Sequence, residues 1–342
     1  MPEFKSMQTV YVSILNWNAA SDTLACISSL LKSESVFNLS MKIFVIDNNS
    51  DFEDFILLES GLMDDQVNLI KNETNTGFAG GHNLVIKQAI QDQADFVWVL
   101  NNDTTFQEDA LHRLVSLAVS DDKIGAVSPV LVAAHDEKHI DFCGGMHDWN
   151  ALNVIKLSNL HDAKKLQESN NENTWVSGAA MLLRVSAMSS VGLLDEGMFA
   201  YYEDNDISCR LVNAGWTNKV AFDCMVHHAT STDVYAQRPA YYFYLMARNS
   251  FLFWQRHTPA GYRRFLSLRL LDREILIANR LLHRGFSTKG NACLLGVYDG
   301  IMLRQGVPKL DRPFMAFWMK TLSHLLMINH AKHLVNKSDG QR

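Results

Sequence analysis

The chain of 342 residues is 47% hydrophobic and 20% charged, which is the composition of a globular protein and not of a disordered one. Its net charge of −6 conceals two oppositely charged regions, because residues 1–255 hold 16 basic and 32 acidic side chains and residues 256–342 hold 15 and 5. The five cysteines are far apart and form no CxxC pair, which excludes a zinc ribbon and a disulfide framework. The sequence shows neither a signal-peptide pattern nor an apolar run of roughly 18 residues. We therefore expect a cytoplasmic protein without a nucleic-acid partner.

Strand-like and helix-like patterns alternate along the first 130 residues. Runs of β-branched and aromatic residues predict strands at 9–15, 42–46, 67–70, 96–100 and 124–130. Helical spacing predicts helices at 21–33, 81–93 and 108–119, with Ser21 or Asp22 as the N-cap of the first helix. This alternation indicates βαβ units and a mostly parallel sheet.

The pattern weakens after residue 130. Residues 140–175 predict a loop or a small antiparallel excursion, and order resumes over residues 174–188. Residues 203–216 predict a short helix with carboxylates in its first turn and Gly215 as its stop.

Polar residues follow each of the first four predicted strands, at 16–18, 47–49, 72–81 and 101–103. In parallel sheets the ligand lies at the carboxyl ends of the strands. Turn residues placed by chance would occur at both ends equally, so we expect a binding crevice at this edge.

Asp47 and the glycine-rich segment 72–83 are the first two candidates within this crevice. Asp47 suits either a turn or acceptance of a hydrogen bond from N3–H of uracil or thymine. Gly77, Gly80 and Gly81 precede a predicted helix, where backbone N–H groups can face a diphosphate. The segment matches neither the dinucleotide-binding fingerprint nor the P-loop.

Asp103 ends the fourth polar cluster and has two interpretations. It is either the N-cap of a helix that begins near Phe106 or Gln107, or an oxygen ligand of a divalent cation. A neutral imidazole from the tandem pair His227 and His228 is the candidate second protein ligand.

Three carboxylates crowd the start of the helix predicted at 203–216. They either stabilise the helix N-terminus or include a general base, and the preceding FAYY segment (199–202) offers an aromatic wall for a sugar ring. The three are Glu203, Asp204 and Asp206.

Together these motifs resemble the family-2 glycosyltransferases of the GT-A fold, particularly the bacterial branch of rhamnosyl- and galactofuranosyl-type transferases. The motifs are SILNWN (13–18), VIDNNSDF (45–52), NTGFAGGHN (75–83), LNNDT (100–104), WVSGAAMLLR (175–184), GLLDEGMFAYYEDNDISCR (192–210) and VHHATST (226–232). The resemblance implies a Rossmann-like, mostly parallel α/β sheet flanked by helices over residues 1–235. Residues 236–342 would form a helical C-terminal extension.

The resemblance also implies a role for each candidate. Asp204 would be the catalytic base, and Asp103 with His227 would hold Mg²⁺ or Mn²⁺, with His228 as the alternative ligand. The donor side would comprise Asn18, Asp47, Asn75, Gly77, Gly80, Gly81, Asn101 and Asn102. The acceptor side would comprise Trp175, Gly178, Glu203 and Asp206. Asn101 departs from the family's D-x-D element, so the cation has one carboxylate fewer there.

The implied reaction is inverting, metal-dependent transfer of a sugar, with rhamnose a candidate, from a UDP- or dTDP-sugar to a glycan or lipid-linked glycan of the cell surface. Neither the spanning helices and QxxRW element of a processive synthase nor the first-strand loop of a nucleotidyltransferase is present. The alternative is a non-catalytic sugar-nucleotide or glycan-binding protein of the same fold.

The basic C-terminal region contains two candidate amphipathic helices, at 261–285 and 314–335. In the first, four arginines fall within about 60° of one another and four apolar residues lie opposite. Such helices suit an anionic membrane surface, here the inner face of the cytoplasmic membrane, or pack on the catalytic domain or on a second subunit. Arg248 is a further candidate to approach the diphosphate. The opposed sets are Arg269, Arg273, Arg280 and Arg284, and Leu268, Leu271, Ile275 and Leu282.

Overall fold

A computed structural model describes residues 7–33, 39–62, 66–134, 136–169, 173–229 and 237–312, and residue 321. The chain divides into two compact units, Met1–Thr230 and Ser231–Arg342. The second predicted amphipathic segment, 314–335, lies outside the described residues except for residue 321.

The first unit alternates strands and helices over its first half. In chain order its elements are β1 (Gln8–Asn16), α1 (Ala20–Ser33), β2 (Leu39–Asp47), α2 (Phe52–Gly61), β3 (Val67–Lys71), α3 (Gly77–Gln91), β4 (Phe96–Asn101), β5 (Thr104–Phe106), α4 (Ala110–Ser120), β6 (Ile124–Ala133), β7 (Asp136–Phe142), β8 (Gly145–Asp148), β9 (Asn153–Lys156), α5 (Leu160–Glu168), β10 (Thr174–Trp175), β11 (Ala180–Arg184), α6 (Val185–Val191), α7 (Glu203–Asn213) and β12 (Thr217–His228).

The predicted mixed α/β architecture with a mostly parallel sheet is confirmed. Within the described ranges, the strands of the main sheet follow the order β3-β2-β1-β4-β11-β6-β12-β5, and β7 pairs with β6. The first four strands are parallel, as are β6 and β12, whereas β11 lies antiparallel between β4 and β6. All five predicted strands are present, and the antiparallel excursion is a small sheet of β10, β8 and β9.

Alternate residues of the central strands supply two cores, because successive side chains of a strand point to opposite faces. Val10 and Trp98 belong to a cluster with residues of α1 and α4. Tyr11 and Val97 belong to a second cluster with residues of α3 and α6. Helices therefore cover both faces, and the carboxyl ends of the strands are left as the place for polar side chains.

Two helix starts differ from the prediction. Helix α1 begins at Ala20, whose backbone N–H donates to Asp54 Oδ1 at 2.9 Å, so Ser21 and Asp22 lie within its first turn and the predicted N-cap is wrong. Helix α3 begins at Gly77, four residues before the predicted start. Helix α7 ends as predicted, with Gly215 in the left-handed region at φ 87°.

The second unit contains three helices among its described residues. They are α8 (Ala240–His257), α9 (Leu266–His283) and α10 (Ser287–Ile301). No helix within the described ranges is both long and apolar enough to cross a bilayer.

The side chains of the predicted apolar face of α9 are not all packed alike. Leu268 is 63% exposed, whereas Ile275 is buried. Arg273 turns inward and donates to Ser250 Oγ at 2.7 Å. Arg248 is fully buried and donates to Gly306 O and Asn249 Oδ1, so its guanidinium group is committed to this unit.

Candidate active site

The carboxyl ends of β2, β1 and β4 bring the polar clusters side by side. The parallel registers pair Asn16 with Asp47, and Leu15 with Asn101. The ends of neighbouring strands therefore place these polar clusters at one edge of the sheet.

Asp47 is fully buried at the end of β2. Its Oδ1 atom accepts a hydrogen bond from Asn16 Nδ2 at 3.0 Å, and its Oδ2 atom accepts one from the backbone N–H of Ser50 at 3.2 Å. Asn16 Nδ2 also lies 3.0 Å from Asp54 Oδ2. These contacts are those of a turn-forming aspartate, and the role of Asp47 in binding a base stays a prediction.

A chain of side-chain hydrogen bonds connects this strand end with that of β4. Asn102 Nδ2 donates to Thr23 Oγ1 at 2.9 Å, and Thr23 Oγ1 donates to Asn16 Oδ1 at 2.7 Å. Because Asn16 donates in turn to Asp47, the two polar clusters form one network. Asn16 was only part of a polar cluster in the sequence, yet it is the centre of this network.

Asn18 fixes the turn after β1 against the turn after β2. Asn18 has a φ of 53°, and its backbone N–H donates to Ser50 Oγ. Its Oδ1 atom accepts a hydrogen bond from the backbone N–H of Asp51 at 2.7 Å. Asn18 is exposed, and its role in binding a donor stays a prediction.

Asn48 holds the glycine-rich segment and was missed by the sequence analysis. Its Nδ2 atom donates to Asn75 Oδ1 and to Gly77 O, and its Oδ1 atom accepts from Asn72 Nδ2 and from the backbone N–H and Oγ1 of Thr76. The signal was present, because Asn48 follows Asp47 directly within the second polar cluster. Its function could not be read from that position, since its partners lie 24 to 29 residues away.

The three glycines are closely packed, and Gly77 is the one that meets a backbone atom. A Cβ atom at Gly77 would lie 2.3 Å from Phe199 O, and one at Gly81 would lie 2.3 Å from Leu15 Cδ1. A Cβ atom at Gly80 would lie 2.8 Å from Thr76 Cβ. Among the first backbone N–H groups of α3, that of Gly77 donates to Asn75 Oδ1 at 2.9 Å and that of Ala79 donates to Phe199 O at 3.3 Å. Diphosphate binding here stays a prediction.

The FAYY segment, whose Phe199 lies against Gly77, has a strained backbone. Phe199, Tyr201 and Tyr202 have φ values of 64°, 69° and 74°, and such sparsely populated conformations cost non-glycine residues roughly 1–3 kcal/mol each. Clusters of such residues occur at functional sites, where the surrounding structure holds them in place. The segment leads directly into α7 and its three carboxylates.

Asp103 lies beside His228. The Asp103 Oδ1 and His228 Nε2 atoms are 3.3 Å apart, and His228 Nε2 is 3.2 Å from Asn101 Nδ2. Asp103 Oδ1 and His228 Nδ1 are buried and have no hydrogen-bond partner within the described part of the chain. Helix α4 begins at Ala110 after the N-cap residue Asp109, so the interpretation of Asp103 as a helix N-cap is wrong.

The structure thus places the alternative histidine beside Asp103, and His227 as the cation ligand stays a prediction. His227 and His228 are successive residues of β12, which pairs with Thr105 and Thr104 of β5. Since successive side chains of a strand point to opposite faces, only one of the two can reach Asp103. The tandem pair was ambiguous in the sequence because that choice depends on the register of β12 against β5.

Asp204 lies in the first turn of α7, half-buried, and is held by three N–H donors. Gly178 N donates to Oδ2 at 3.1 Å, and the backbone N and Nδ2 of Asn205 donate to Oδ1, both at 2.8 Å. Burial raises the pKa of Asp204 although these donors lower it. A Cβ atom at Gly178 would lie 3.3 Å from Asp204 Cβ, so the glycine permits this close approach.

Glu203 and Asp206 are both buried beside Asp204. Burial, followed by the charge of Asp204, raises the pKa of Glu203 well above its usual value. Asp206 accepts from Arg210 Nε at 2.7 Å, and Arg210 also donates to Val191 O at 2.9 Å. Arg210 thereby joins Asp206 to the end of α6, and a contact of Asp206 with an acceptor stays a prediction.

Trp175 is also committed to the fold. It is 7% exposed, its ring lies 4.9 Å from that of Phe142, and its indole N–H donates to Ile155 O at 3.2 Å. Trp175 thus joins the small sheet to the main sheet, and a contact with an acceptor stays a prediction.

Comparison with known proteins identifies the family and the fold. A model of the family "Glycosyltransferase like family 2" matches residues 8–251. An N-acetylglucosaminyl-diphospho-decaprenol L-rhamnosyltransferase of Mycobacterium tuberculosis is 28% identical over 151 residues, which cover 40% of this chain and 48% of the relative. The match thus spans about half the length of that relative. The dTDP-rhamnosyl transferase RfbF of Shigella flexneri is 21% identical over 224 residues, or 64% of this chain and 69% of RfbF.

Among solved structures, the mannosyltransferase PcManGT of Pyrobaculum calidifontis, in complex with GDP-Man and Mn²⁺, matches with a TM-score of 0.56 at 13% identity. The match covers 88% of this chain and 89% of PcManGT, and at this identity it shows the fold alone. The GT-A-like fold and the family predicted from the motifs are both confirmed. The chain therefore belongs to the glycosyltransferase-like family 2.

Proposed function

We propose that the protein transfers a sugar from a UDP- or dTDP-sugar to a hydroxyl group of a glycan or lipid-linked glycan, with inversion at the anomeric carbon. One observation carries this proposal. The backbone N–H of Asn101 donates to Ala179 O at 2.8 Å, which joins the segment that bears Asp103 to the segment whose Gly178 holds Asp204. A candidate cation ligand and a candidate base thereby flank the same point of the sheet.

Asp204 suits the role of general base. It is the one of the three clustered carboxylates that is only partly buried, and its raised pKa strengthens it as a proton acceptor. Asp204 would take the proton of the acceptor hydroxyl as that oxygen attacks the anomeric carbon from the face opposite the nucleoside diphosphate. A single displacement inverts the configuration, and no second, nucleophilic carboxylate is needed.

Asp103 and His228 fit a divalent cation. The buried carboxylate oxygen of Asp103 and the imidazole lie 3.3 Å apart, and oxygen and nitrogen ligands of this kind suit Mn²⁺ or Mg²⁺. No group of three or more His, Cys, Asp or Glu side chains suited to a metal occurs among the described residues, so diphosphate oxygens and water would complete the coordination. When bound, the cation supplies Lewis-acid stabilisation of the departing diphosphate.

The names of the relatives favour a deoxysugar donor. Both curated relatives described above are named as rhamnosyltransferases, and one name specifies dTDP-rhamnose chemistry. A dTDP-sugar and a UDP-sugar share the N3–H group that Asp47 would recognise. Rhamnose from dTDP-rhamnose is therefore the first donor to test.

The second unit suits attachment to an anionic membrane, which would bring a lipid-linked acceptor within reach. Phe265 and Leu268 are 61% and 63% exposed and stand next to the exposed Arg263 and Arg264. Exposed apolar side chains among cations favour an anionic bilayer surface. Sedimentation with anionic vesicles, reduced for Phe265→Ser and absent with neutral vesicles, would support this attachment; equal binding of both proteins would contradict it.

The function is tested by nucleotide binding and by transfer. In a thermal-shift panel of UDP, dTDP, GDP and CDP with and without Mn²⁺ or Mg²⁺, a metal-dependent rise in Tm is expected for UDP or dTDP. Asp103→Ala and His228→Ala should abolish the metal-dependent part, whereas the matched control His227→Ala should retain it. A loss confined to His227→Ala would reverse the assignment of the histidines.

Asp204→Asn separates binding from catalysis. We expect it to retain the nucleotide-dependent rise in Tm and to lose transfer by about 10²–10⁴-fold, the typical contribution of a general base. Undiminished transfer would refute the assignment of the base. Nucleotide binding by the wild-type protein without transfer to any acceptor glycan would favour the alternative, a non-catalytic sugar-nucleotide-binding protein.

A further inference from the structure

A buried histidine of the small sheet is connected to Asp204. His147 lies on β8 and is 1% exposed. Its Nε2 atom is 2.9 Å from Asn205 Oδ1, and Asn205 Nδ2 donates to Asp204 Oδ1 at 2.8 Å. On the far side of the ring, Cys209 Sγ is 3.7 Å from His147 Nδ1. Cys209, His147, Asn205 and Asp204 therefore form one continuous chain of contacts.

The chemistry of these groups fixes the direction of every hydrogen bond. The Asp204 carboxylate only accepts, so the amide group of Asn205 must turn its nitrogen towards Asp204 and its oxygen towards His147. His147 Nε2 must then donate its N–H to Asn205 Oδ1, and in the tautomer that carries its proton on Nε2 the Nδ1 atom accepts from the thiol of Cys209. Burial raises the pKa of Cys209, so the thiol keeps its proton. In each of the three hydrogen bonds, from Cys209 to His147, from His147 to Asn205 and from Asn205 to Asp204, the proton therefore points towards the carboxylate.

Neighbouring side chains also hold this series of hydrogen-bonded residues in place. The ring of His147 lies 5.2 Å from that of Trp149, whose indole N–H donates to Asn173 Oδ1 at 2.6 Å. Asn205 is 7% exposed, so its side chain is shielded from water that could substitute for His147. Without His147, Asn205 would lose the partner that holds its amide nitrogen towards Asp204.

We propose that His147 is a positioning residue for Asp204, acting through Asn205, and that the small sheet serves to aim the proposed base. This inference rests on the proposed function of Asp204. The sequence offered no signal for it, because His147 lies 57 residues before Asp204 in the region that was predicted as a loop or excursion.

Two substitutions separate the hydrogen bond from simple packing. His147→Gln keeps an N–H donor for Asn205 Oδ1, and His147→Leu fills similar space without one. His112→Leu is the matched control, since His112 is also buried but lies on α4, where its ring contacts Ser116 of the same helix. If the protein transfers sugar, kcat should fall at least roughly tenfold in His147→Leu, with the KM for the sugar nucleotide unchanged. His147→Gln should recover most of that loss.

The pH dependence gives the second readout. A donor to the carboxylate favours its charged form, so its loss raises the pKa of Asp204. Because a general base works only when deprotonated, the acidic limb of the pH–rate profile should move to higher pH in His147→Leu, by roughly half a unit to one unit. A merely structural role would lower activity at every pH and leave this limb in place.

A direct titration tests the inference even if the proposed function fails. In protein labelled with ¹³C at the aspartate carboxyl carbon, the Asp204 signal is identified by its absence from Asp204→Asn, and its pKa is measured by NMR. We expect a higher pKa in His147→Leu than in the wild type, in His147→Gln and in His112→Leu. An Asp204 pKa that is the same in all four proteins overturns the inference, whether or not the protein transfers sugar.

Discussion

Replacement of Gly77 by alanine should disrupt the contact between the glycine-rich segment and the strained segment at 199–202. Two costs are expected at this position. The φ of 75° costs an alanine roughly 1–2 kcal/mol. The new Cβ atom would lie 2.3 Å from Phe199 O, where real Cβ atoms essentially never come within 3.0 Å, so the carbonyl group must retreat by at least 0.7 Å.

Gly215→Ala is the matched control that removes the first cost from the comparison. Gly215 has a similar φ of 87°, and a Cβ atom there would meet nothing within 4 Å. Both variants should therefore lose about 1–2 kcal/mol of stability from backbone strain. Only Gly77→Ala should also displace the segment that leads into Asp204, and a displacement near 1 Å can lower the rate about 10²-fold.

The assay compares both variants with the wild type by urea unfolding, by the thermal shift with nucleotide, and by sugar transfer. We expect Gly77→Ala to lose more stability than Gly215→Ala, to show a weaker shift, and to lose most of its transfer activity. If the two variants have equal stability and equal activity, the packing of Gly77 on Phe199 does not support the site, and the reasoning fails.

Three further predictions concern stability. Burial lowers the pKa of His82 to about 3, so the native state rejects a proton that the unfolded state binds below pH 6.5, and the contribution of His82 to stability should fall by about 2 kcal/mol between pH 7 and pH 5. In urea unfolding at both pH values, the change from pH 7 to pH 5 should therefore be less favourable to the wild type than to His82→Gln by about this amount, and equal changes would contradict the prediction. Burial raises the pKa of Glu203, so the contribution of this group to stability is present at low pH and is lost as pH rises through its native-state pKa. Glu203→Gln should therefore raise Tm at pH 8 but not at pH 4. A rise of equal size at both pH values would contradict this. Asn48→Ala should destabilise the protein by about 3 kcal/mol, because it leaves several polar groups of the glycine-rich segment without a partner. The control Asn68→Ala should have little effect, since Asn68 is exposed. Equal unfolding midpoints of these two variants would argue against Asn48 as the support of that segment.

The sequence was a reliable guide to the parallel half of the sheet. Five strands were predicted from apolar runs, because a strand covered on both faces must be apolar along its whole length. The grouping of polar side chains at one edge followed from the strand ends at Asn16, Asp47 and Asn101, since parallel strands place all of their carboxyl ends at one edge. The antiparallel strand β11 was missed, because its five residues continue into α6 without a turn signal.

The sequence by itself determined the fold class, the family and the set of polar side chains at one edge of the sheet, because these depend on local periodicity and on motifs in a fixed order. Only the tertiary structure decided which partner each side chain has. It placed His228 beside Asp103, assigned Asp206 to Arg210, and made Asn48 the support of the glycine-rich segment. The physical reason is that a hydrogen bond requires two atoms within about 3 Å in the correct orientation, and strand register and helix start set such distances between residues far apart in the chain.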